Sequence, residues 1–329
     1  MNNDRSAVLP ASTQQVILNT GNILGCKDLT KKVFQSLREE LIQSLTLALA
    51  KWKSSGNDVN CSVHPENEEI TWMTEASYVD CSTVMSVFYV DDSDLTSSTI
   101  YPVQRDPGPW TEGLDAAQRL DVQVLIEQQF PDILALFFLT HAIKERSTLK
   151  ITVKVFLSDF DAAALESATR KVLEELGVSE LDSLIVAFPP SAKSSTEKVR
   201  PLWAAAEQIY REGLALSVGV SDLDTAQLRD LHSWAEVKPS VNQVNLDSCC
   251  VIPQEMQEFA KANNIQLLTH SDPKVLLDHE GMARVLKGYM AEEDIRHWSA
   301  PWVARYSVLV KCRGFLQSKG YIASLVKEP

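Results

Sequence analysis

The stretches that decide the fold are residues 149–157 (LKITVKVFL), residues 184–188 (LIVAF) and residues 214–220 (LALSVGV). Each is short and rich in branched apolar side chains, which indicates a buried β-strand. Helical patterns separate them, at residues 161–176 and 202–211. This alternation, in units of roughly 25–35 residues, predicts parallel βα units.

The same rhythm extends in both directions. Strands are also predicted at 15–18, 241–246, 265–269 and 307–311, and helices at 29–52, 225–234, 253–263, 273–277 and 282–290. Asp161 is a predicted helix N-cap, and Gly177 follows the end of that helix. Six strands from residue 149 onward, one N-terminal strand and one unassigned unit make eight. The pattern therefore predicts a single α/β domain over residues 1–329, a (β/α)8 TIM barrel. An open doubly wound sheet is the alternative, and the missing GxGxxG motif counts against it.

An acidic segment interrupts this pattern. Residues 57–132 contain 15 acidic and only two basic side chains, so they carry the whole formal charge of −13. Residues 57–119 also contain many Ser, Thr and Pro and show only strand-like fragments, such as 70–72. A stretch of this length is normally an insertion, a functional loop or disordered. We interpret residues 57–119 as an acidic, partly disordered insertion. A sharper hypothesis is an acidic surface for a basic partner, which salt dependence would test.

The composition excludes several classes of protein. Hydrophobic residues make up 45% of the chain, enough for a large core. No apolar run approaches the ~18 residues needed to cross a membrane, and the first residues show no signal-peptide pattern. The acidic balance argues against a nucleic-acid partner. The six histidines lack metal-ligand spacing, so no metal is predicted. The cysteines have the spacing of free thiols, which favours a cytoplasmic location.

Two motifs at predicted strand ends resemble the aldo-keto reductase superfamily. They are VGVSD at 218–222 and VNQVN at 241–245, in the order of that family's GxSN-type turn and NQVE strand. The longer stretches NQVNLDSCC at 242–250 and KCRGFLQSKGYI at 311–322 resemble the family of glutamate–cysteine ligase regulatory (modifier) subunits. These subunits are non-catalytic members of the superfamily. The resemblance covers residues 15–53 and 130–322 and leaves the insertion unmatched.

This resemblance implies a regulatory function. The chain would bind the catalytic subunit of glutamate–cysteine ligase as a heterodimer and raise its efficiency in the first step of glutathione biosynthesis. Aldo-keto reductases need a tyrosine acid tuned by a lysine and an aspartate, with a histidine that orients the carbonyl. Lys154 matches the lysine, but Ala187 replaces the histidine, and no DxxxxY motif is found in the early part of the chain. The reductase tetrad is incomplete, so the resemblance implies no catalysis. An NADPH-dependent reductase is the alternative hypothesis.

No cofactor is required for a regulatory role, but the resemblance also suggests where NADP(H) would bind. It places Ser221, Gln243 and His270 near a nicotinamide. It places Lys311, Cys312 and Arg313 near an adenosine phosphate. A Lys/Arg pair is chemically suited to a phosphate. An NADP(H)-responsive redox sensor is therefore a further hypothesis. Ser221 lacks a GxSxG context and a histidine nearby in the sequence, so a hydrolase is not supported.

Cys249 and Cys250 form the most distinctive cysteine motif. Adjacent cysteines rarely bridge each other, because a Cα spacing of ~3.8 Å is below the disulfide range. One interpretation is a pair of buried, inert thiols. The other, which the family resemblance supports, is a redox contact or disulfide with the catalytic subunit.

The predicted partner surface comprises the loops at the carboxyl face of the barrel and residues 298–322. Within the second region, Trp298, Trp302 and Tyr306 are predicted to be core residues. An exposed aromatic surface beside Arg305 that anchors the partner is the alternative.

Overall fold

The computed structural model describes residues 9, 13–54, 61–64, 69–72, 146–190, 196–245 and 251–328. The chain divides into two compact units, residues 1–78 with 150–329, and residues 79–149. Residues 146–149 are the described part of the second unit. The elements named below therefore belong to the first unit, except that one strand begins at Leu149, the last residue of the second. The predicted insertion lies outside the described residues except for two short strands. Its interpretation therefore stays a prediction.

The described elements alternate between strands and helices over most of the chain. The strands are β1 (Gln15–Asn19), β2 (Cys61–His64), β3 (Glu69–Trp72), β4 (Leu149–Leu157), β5 (Ser183–Ala187), β6 (Val218–Ser221), β7 (Val241–Asn245), β8 (Gln266–His270), β9 (Trp298–Val310) and β10 (Phe315–Lys327). The helices are α1 (Lys27–Thr30), α2 (Leu37–Ser54), α3 (Ala162–Leu176), α4 (Thr196–Arg211), α5 (Thr225–Trp234), α6 (Gln254–Ala262), α7 (His279–Leu286) and α8 (Glu292–Ile295). The predicted strand–helix rhythm after residue 149 is confirmed.

Local signals in the sequence set the ends of these helices. The Asp161 carboxylate accepts a hydrogen bond from the Ala163 amide at the start of α3. Gly177 ends the same helix in the left-handed conformation, with φ of 62°, as glycine does readily. Both predicted caps are therefore confirmed. Helix α5 begins with a reciprocal capping box between Asp224 and Gln227.

The sheet contains a run of parallel strands and one long hairpin. Strands β4 to β8 pair in parallel and in chain order, as expected for βα units. The full order is β2-β3-β1-β10-β9-β4-β5-β6-β7-β8. The antiparallel hairpin of β9 and β10 thus lies between β1 and β4. This α/β fold with a mostly parallel sheet confirms the predicted class and is consistent with a (β/α)8 barrel.

The hairpin corrects the prediction for the last part of the chain. A single short strand was predicted at 307–311, whereas β9 and β10 have 13 residues each. The Ser158 amide, just after β4, bonds to the Pro301 carbonyl near the start of β9. Lys311, at the other end of β9, forms an ion pair with Asp182, just before β5. Strand β9 therefore runs against the direction of β4 and β5.

Two hydrophobic cores lie on opposite faces of the sheet. In β1, Ile17 belongs to one core, while its neighbours Val16 and Leu18 belong to the other, as the alternation of a strand requires. Helices α3 to α6 cover the first face, and α2 and α7 cover the second. Lys154, Ser221 and Gln243 alternate along their strands with residues of the first core, so they point to the opposite face of the sheet.

Two helix predictions were wrong, one in its extent and one altogether. The predicted helix at 29–52 is divided, because Ser36 accepts a hydrogen bond from the Glu39 amide and so begins α2 anew. Val33, within the predicted helix, is 97% exposed in the break. Residues 273–277 are irregular rather than helical.

Within the described ranges, no helix is both long and apolar enough to span a lipid bilayer.

Candidate functional site

A buried lysine is at the centre of the candidate site. The Lys154 amine on β4 donates hydrogen bonds to Ser221 Oγ at 2.8 Å, Gln243 Oε1 at 3.0 Å and Asp272 Oδ2 at 2.7 Å. An ammonium group has three N–H donors, so these three partners use all of them. Burial lowers the pKa of Lys154, and the neighbouring Asp272 carboxylate opposes that change. The sequence predicted three of these four residues, and the structure brings those three together.

Asp272 joins Lys154 to a second cation. Arg305, on β9, contacts both oxygens of the Asp272 carboxylate, at 2.5 Å from Nη1 to Oδ1 and 3.1 Å from Nη2 to Oδ2. Although burial acts to raise it, the pKa of Asp272 is held well below its usual range by the His270 hydrogen bond and by both cations. The Asp272 side chain is only 2% exposed. Such a charge requires these partners, because an unpaired buried carboxylate is very unfavourable.

Asp222 and His270 complete the network at the ends of β6 and β8. His270 Nε2 lies 3.1 Å from Asp222 Oδ1. Asp222 has a left-handed backbone, with φ of 64°, which is uncommon outside glycine. Hydrogen bonds hold it there, because its amide donates to the Gln243 carbonyl and its carboxylate accepts from the Asn245 amide. Burial acts to raise the pKa of Asp222, but the contact with His270 lowers it overall.

Ser221, His270 and Asp272 are arranged like a hydrolytic triad. Ser221 Oγ lies 3.2 Å from His270 Nε2, and His270 Nδ1 lies 3.1 Å from Asp272 Oδ2. Ser221 has no histidine nearby in the sequence, but folding brings His270 next to it. The Ser221 hydroxyl nevertheless accepts from Lys154, donates to Asp222 Oδ2 and is 3% exposed. It is therefore a structural hydroxyl rather than an available nucleophile.

The remaining predicted residues are elsewhere. Ala187 ends β5 opposite Ser221, so its methyl group lies beside the site. Its assignment to the position of the missing histidine stays a prediction. Lys311, Cys312 and Arg313 form the exposed turn between β9 and β10. Cys249 and Cys250 lie outside the described residues. Within the described ranges, no cluster of potential metal ligands is found.

The predicted phosphate-binding residues do not share a site with the predicted nicotinamide-binding residues. Lys311 pairs with Asp182, which precedes β5, whereas Ser221 and Gln243 lie at or near the carboxyl ends of their strands. A strand of five residues at about 3.3 Å per residue separates the two edges by about 16 Å. Buried strand residues fill the space between them. The two predicted sets of residues thus lie at opposite edges of the sheet. That they bind one NADP(H) molecule stays a prediction.

The residues near Lys154 also fit a nicotinamide poorly. Ser221 and Gln243 were predicted to lie near the ring, and the lysine amine donates to an oxygen of each. A carboxamide that donated to these oxygens would compete with the amine, and the buried cation would lose any partner that the carboxamide took. The cost of an unmade buried hydrogen bond is about 1–3 kcal/mol and is larger for a charged group.

We expect NADPH to leave the thermal stability of the protein unchanged. A ligand at 100 times its Kd would add about 2.7 kcal/mol to the free energy of unfolding. Thermal unfolding, followed by tryptophan fluorescence with and without millimolar NADPH, measures this. The matched variant is Arg313→Ala, at the predicted phosphate contact. A rise in Tm that this variant abolishes would show that the nucleotide binds through 311–313 after all.

Comparisons with known proteins agree with the motifs. The aldo/keto reductase family model matches residues 132–272. The chain is 40% identical over 204 residues to the glutamate–cysteine ligase regulatory subunit of Homo sapiens, covering 59% of this chain and 74% of that protein. It is 27% identical to a putative regulatory subunit of Schizosaccharomyces pombe, covering 53% and 70%. A crystal structure of an aldo/keto reductase from Brucella melitensis aligns at 26% identity and a TM-score of 0.32, covering 40% of this chain and 51% of that one.

Proposed function

Because this chain belongs to the family of glutamate–cysteine ligase regulatory subunits, we propose that it binds the catalytic subunit of that ligase and raises its efficiency. It performs no chemistry of its own. Regulation of this kind requires the subunit to bind one conformation of its partner more tightly than another. The similarity to named regulatory subunits supports the proposal, and the geometry around Lys154 supports its non-catalytic part.

The observation that carries the non-catalytic part of the proposal is that all three N–H groups of the Lys154 ammonium are hydrogen-bonded within the chain. In a reductase, the lysine would tune a tyrosine that donates a proton to the carbonyl oxygen. Here its three hydrogen bonds go to a serine, a glutamine and an aspartate. Ala187 at the histidine position has no group that could orient a carbonyl. Lys154 therefore works as one half of a structural ion pair.

The direct test is reconstitution with the catalytic subunit. We expect a tagged form of this chain to co-purify with that subunit and to lower the glutamate concentration needed for half-maximal ligase activity. ATP-dependent formation of γ-glutamylcysteine is the assay. Co-purification without any change in glutamate dependence or rate would contradict the regulatory role. Absence of a complex at micromolar concentrations would contradict the binding itself.

The rival function, a reductase, predicts a different result. We expect no consumption of NADPH above background when the purified chain is incubated with a reactive aldehyde. The matched variant is Lys154→Met, which removes the amine from the site. If the wild-type chain consumes NADPH and this variant does not, catalysis is established and the non-catalytic proposal is contradicted. Turnover that the variant retains would indicate a contaminating reductase.

The exposed end of the β9–β10 hairpin, residues 311–317, is the proposed contact surface for the catalytic subunit. Trp298, Trp302 and Tyr306 are buried, so the predicted core assignment is confirmed and the aromatic-anchor alternative is wrong. Residues 311–317 are all exposed, and they include two large apolar side chains, Phe315 at 48% and Leu316 at 39%. Apolar side chains that project from a turn are well placed to fill pockets on a partner.

Substitution of Phe315 tests this surface. We expect Phe315→Ser to weaken the complex with the catalytic subunit at least tenfold, about 1.4 kcal/mol, because an anchor loses its apolar area. Calorimetric titration of one subunit into the other gives the affinity. Val33→Ser is the control, since Val33 is 97% exposed in the loop before α2. Equal affinities for both variants and the wild-type chain would exclude the hairpin end as the contact.

A further inference from the structure

The Nδ1 atom of the His270 ring lies close to both a hydrogen-bond donor and a hydrogen-bond acceptor of Asp272. The Asp272 amide donates to Nδ1 at 3.0 Å, and Asp272 Oδ2 lies 3.1 Å from the same nitrogen. A neutral ring with its proton on Nε2 can accept from the amide but cannot bond to the carboxylate. A protonated ring can donate to the carboxylate but can no longer accept from the amide. The two protonation states therefore use different partners.

The other ring nitrogen keeps its role in both states. Nε2 lies 3.1 Å from Asp222 Oδ1 and 3.2 Å from Ser221 Oγ. Since Ser221 already donates its own proton to Asp222 Oδ2, its oxygen can accept from the ring. Nε2 is thus a donor whether the ring is neutral or charged. The gain or loss of a proton is confined to the Nδ1 side, which faces the segment after β8.

We propose that His270 is a proton-operated switch that changes how residues 270–272 are held at the carboxyl end of β8. In the neutral state, the Asp272 amide is fixed by the ring. In the charged state, the Asp272 carboxylate binds a third cation and the amide is released. Asn245 Nδ2 donates to the Asp272 carbonyl, so the change is transmitted to the end of β7.

The charged groups around the ring favour this switch. Lys154 on β4 and Arg305 on β9 are the cations, and Asp222 after β6 and Asp272 after β8 are the anions. Within the described residues, these four formal charges of the network cancel. Both carboxylates contact the ring directly. The cations bind Asp272 and reach the ring through it. A proton added to the ring is therefore closer to the two carboxylates, which attract it, than to the two cations, which repel it.

The pKa of His270 agrees with this arrangement. Burial acts to lower it, but the bonds to Asp222 and Asp272 raise it above the ordinary value of 6.5. A raised pKa in the folded state means that protonation stabilises the fold. That stabilisation is complete below about pH 6.5, the unfolded value, and is lost as the pH rises through the higher folded value. The midpoint of the switch therefore lies above pH 6.5.

A titration followed by NMR tests the proposal on the intact chain. We expect the His270 ring signals to titrate with a midpoint above 6.5, and the Asp272 amide signal to move with the same midpoint. Through-bond correlation from the backbone assigns the ring without a variant. A midpoint at or below 6.5, or an Asp272 amide that does not follow the ring, would overturn the switch.

A matched pair of variants separates the switch from general pH effects. We expect His270→Gln to abolish the titration of the Asp272 amide. His279→Gln should leave it unchanged, because His279 is exposed at the start of α7. If the amide still titrates in His270→Gln, another group drives it and the proposal fails. If His270→Gln does not fold, the wild-type titration alone decides between the outcomes.

Discussion

Replacement of Asp272 by asparagine is expected to lower the free energy of unfolding by about 3–5 kcal/mol, the usual cost of breaking a buried ion pair from one side. The substitution removes the carboxylate that opposes the lowering of the Lys154 pKa, at a site where the lysine side chain is 3% exposed. A neutral amide cannot balance both Lys154 and Arg305. Urea unfolding at neutral pH, followed by fluorescence, measures the change.

A surface pair provides the control for this experiment. Arg229 and Glu255 form an ion pair at 3.2 Å, with side chains 47% and 69% exposed. We expect Glu255→Gln to change the stability by less than about 1 kcal/mol, because water solvates both groups. The double variant Lys154→Met, Asp272→Asn should recover part of the loss, since no buried lysine is left unpaired. A cost for Asp272→Asn as small as for Glu255→Gln would show that the network is dispensable.

The second large effect is expected at Gly320, in β10. A Cβ atom at this position would overlap the Gly21 carbonyl oxygen and the ring of Tyr306. The first obstacle is a backbone atom and the second is a buried ring, so displacing either one would cost much free energy. Gly320→Val is therefore expected to cost about 3 kcal/mol or more, the upper range for overpacked cores. Urea unfolding followed by tryptophan fluorescence measures this cost, and we expect the cooperative transition to be lost.

Gly25 offers the matched control for that substitution. A Cβ atom at Gly25 would have no neighbour within 4 Å, and Gly25 is not among the residues with positive φ. We expect Gly25→Ala to change the stability by no more than about 0.5 kcal/mol. If Gly320→Val unfolded at the same urea concentration as the wild-type chain, the close approach of β10 to the turn after β1 would be refuted.

The sequence alone was sufficient for features that depend on neighbouring residues. The alternation after residue 149, the cap at Asp161 and the stop at Gly177 follow from local patterns, and all three were confirmed. Ser221, Gln243 and Lys154, which were singled out by the family resemblance, also meet in the structure.

Features that depend on distant pairing were not predicted. Strand β10 was missed because Gly320 and the polar residues before it interrupt the apolar alternation of 315–327. Without the hairpin, nothing indicated that Arg305 would bind Asp272 or that Lys311 would lie at the opposite edge from Ser221. Asp272 itself could have been suspected, since it follows β8 by two residues. Its role becomes visible only with both cations in place.

The β9–β10 hairpin also has a consequence for the synthesis of the protein on the ribosome. Strand β1 pairs with β10 over its whole length, with Gln15 opposite Val326. Ribosomes synthesise a chain from its amino end, so one edge of β1 has no partner until nearly 300 further residues have been made. Closing such distant pairs is slow, and unpaired strand edges invite association with other chains. Nascent chains truncated before residue 315 should therefore be retained by chaperones, whereas the finished chain is released.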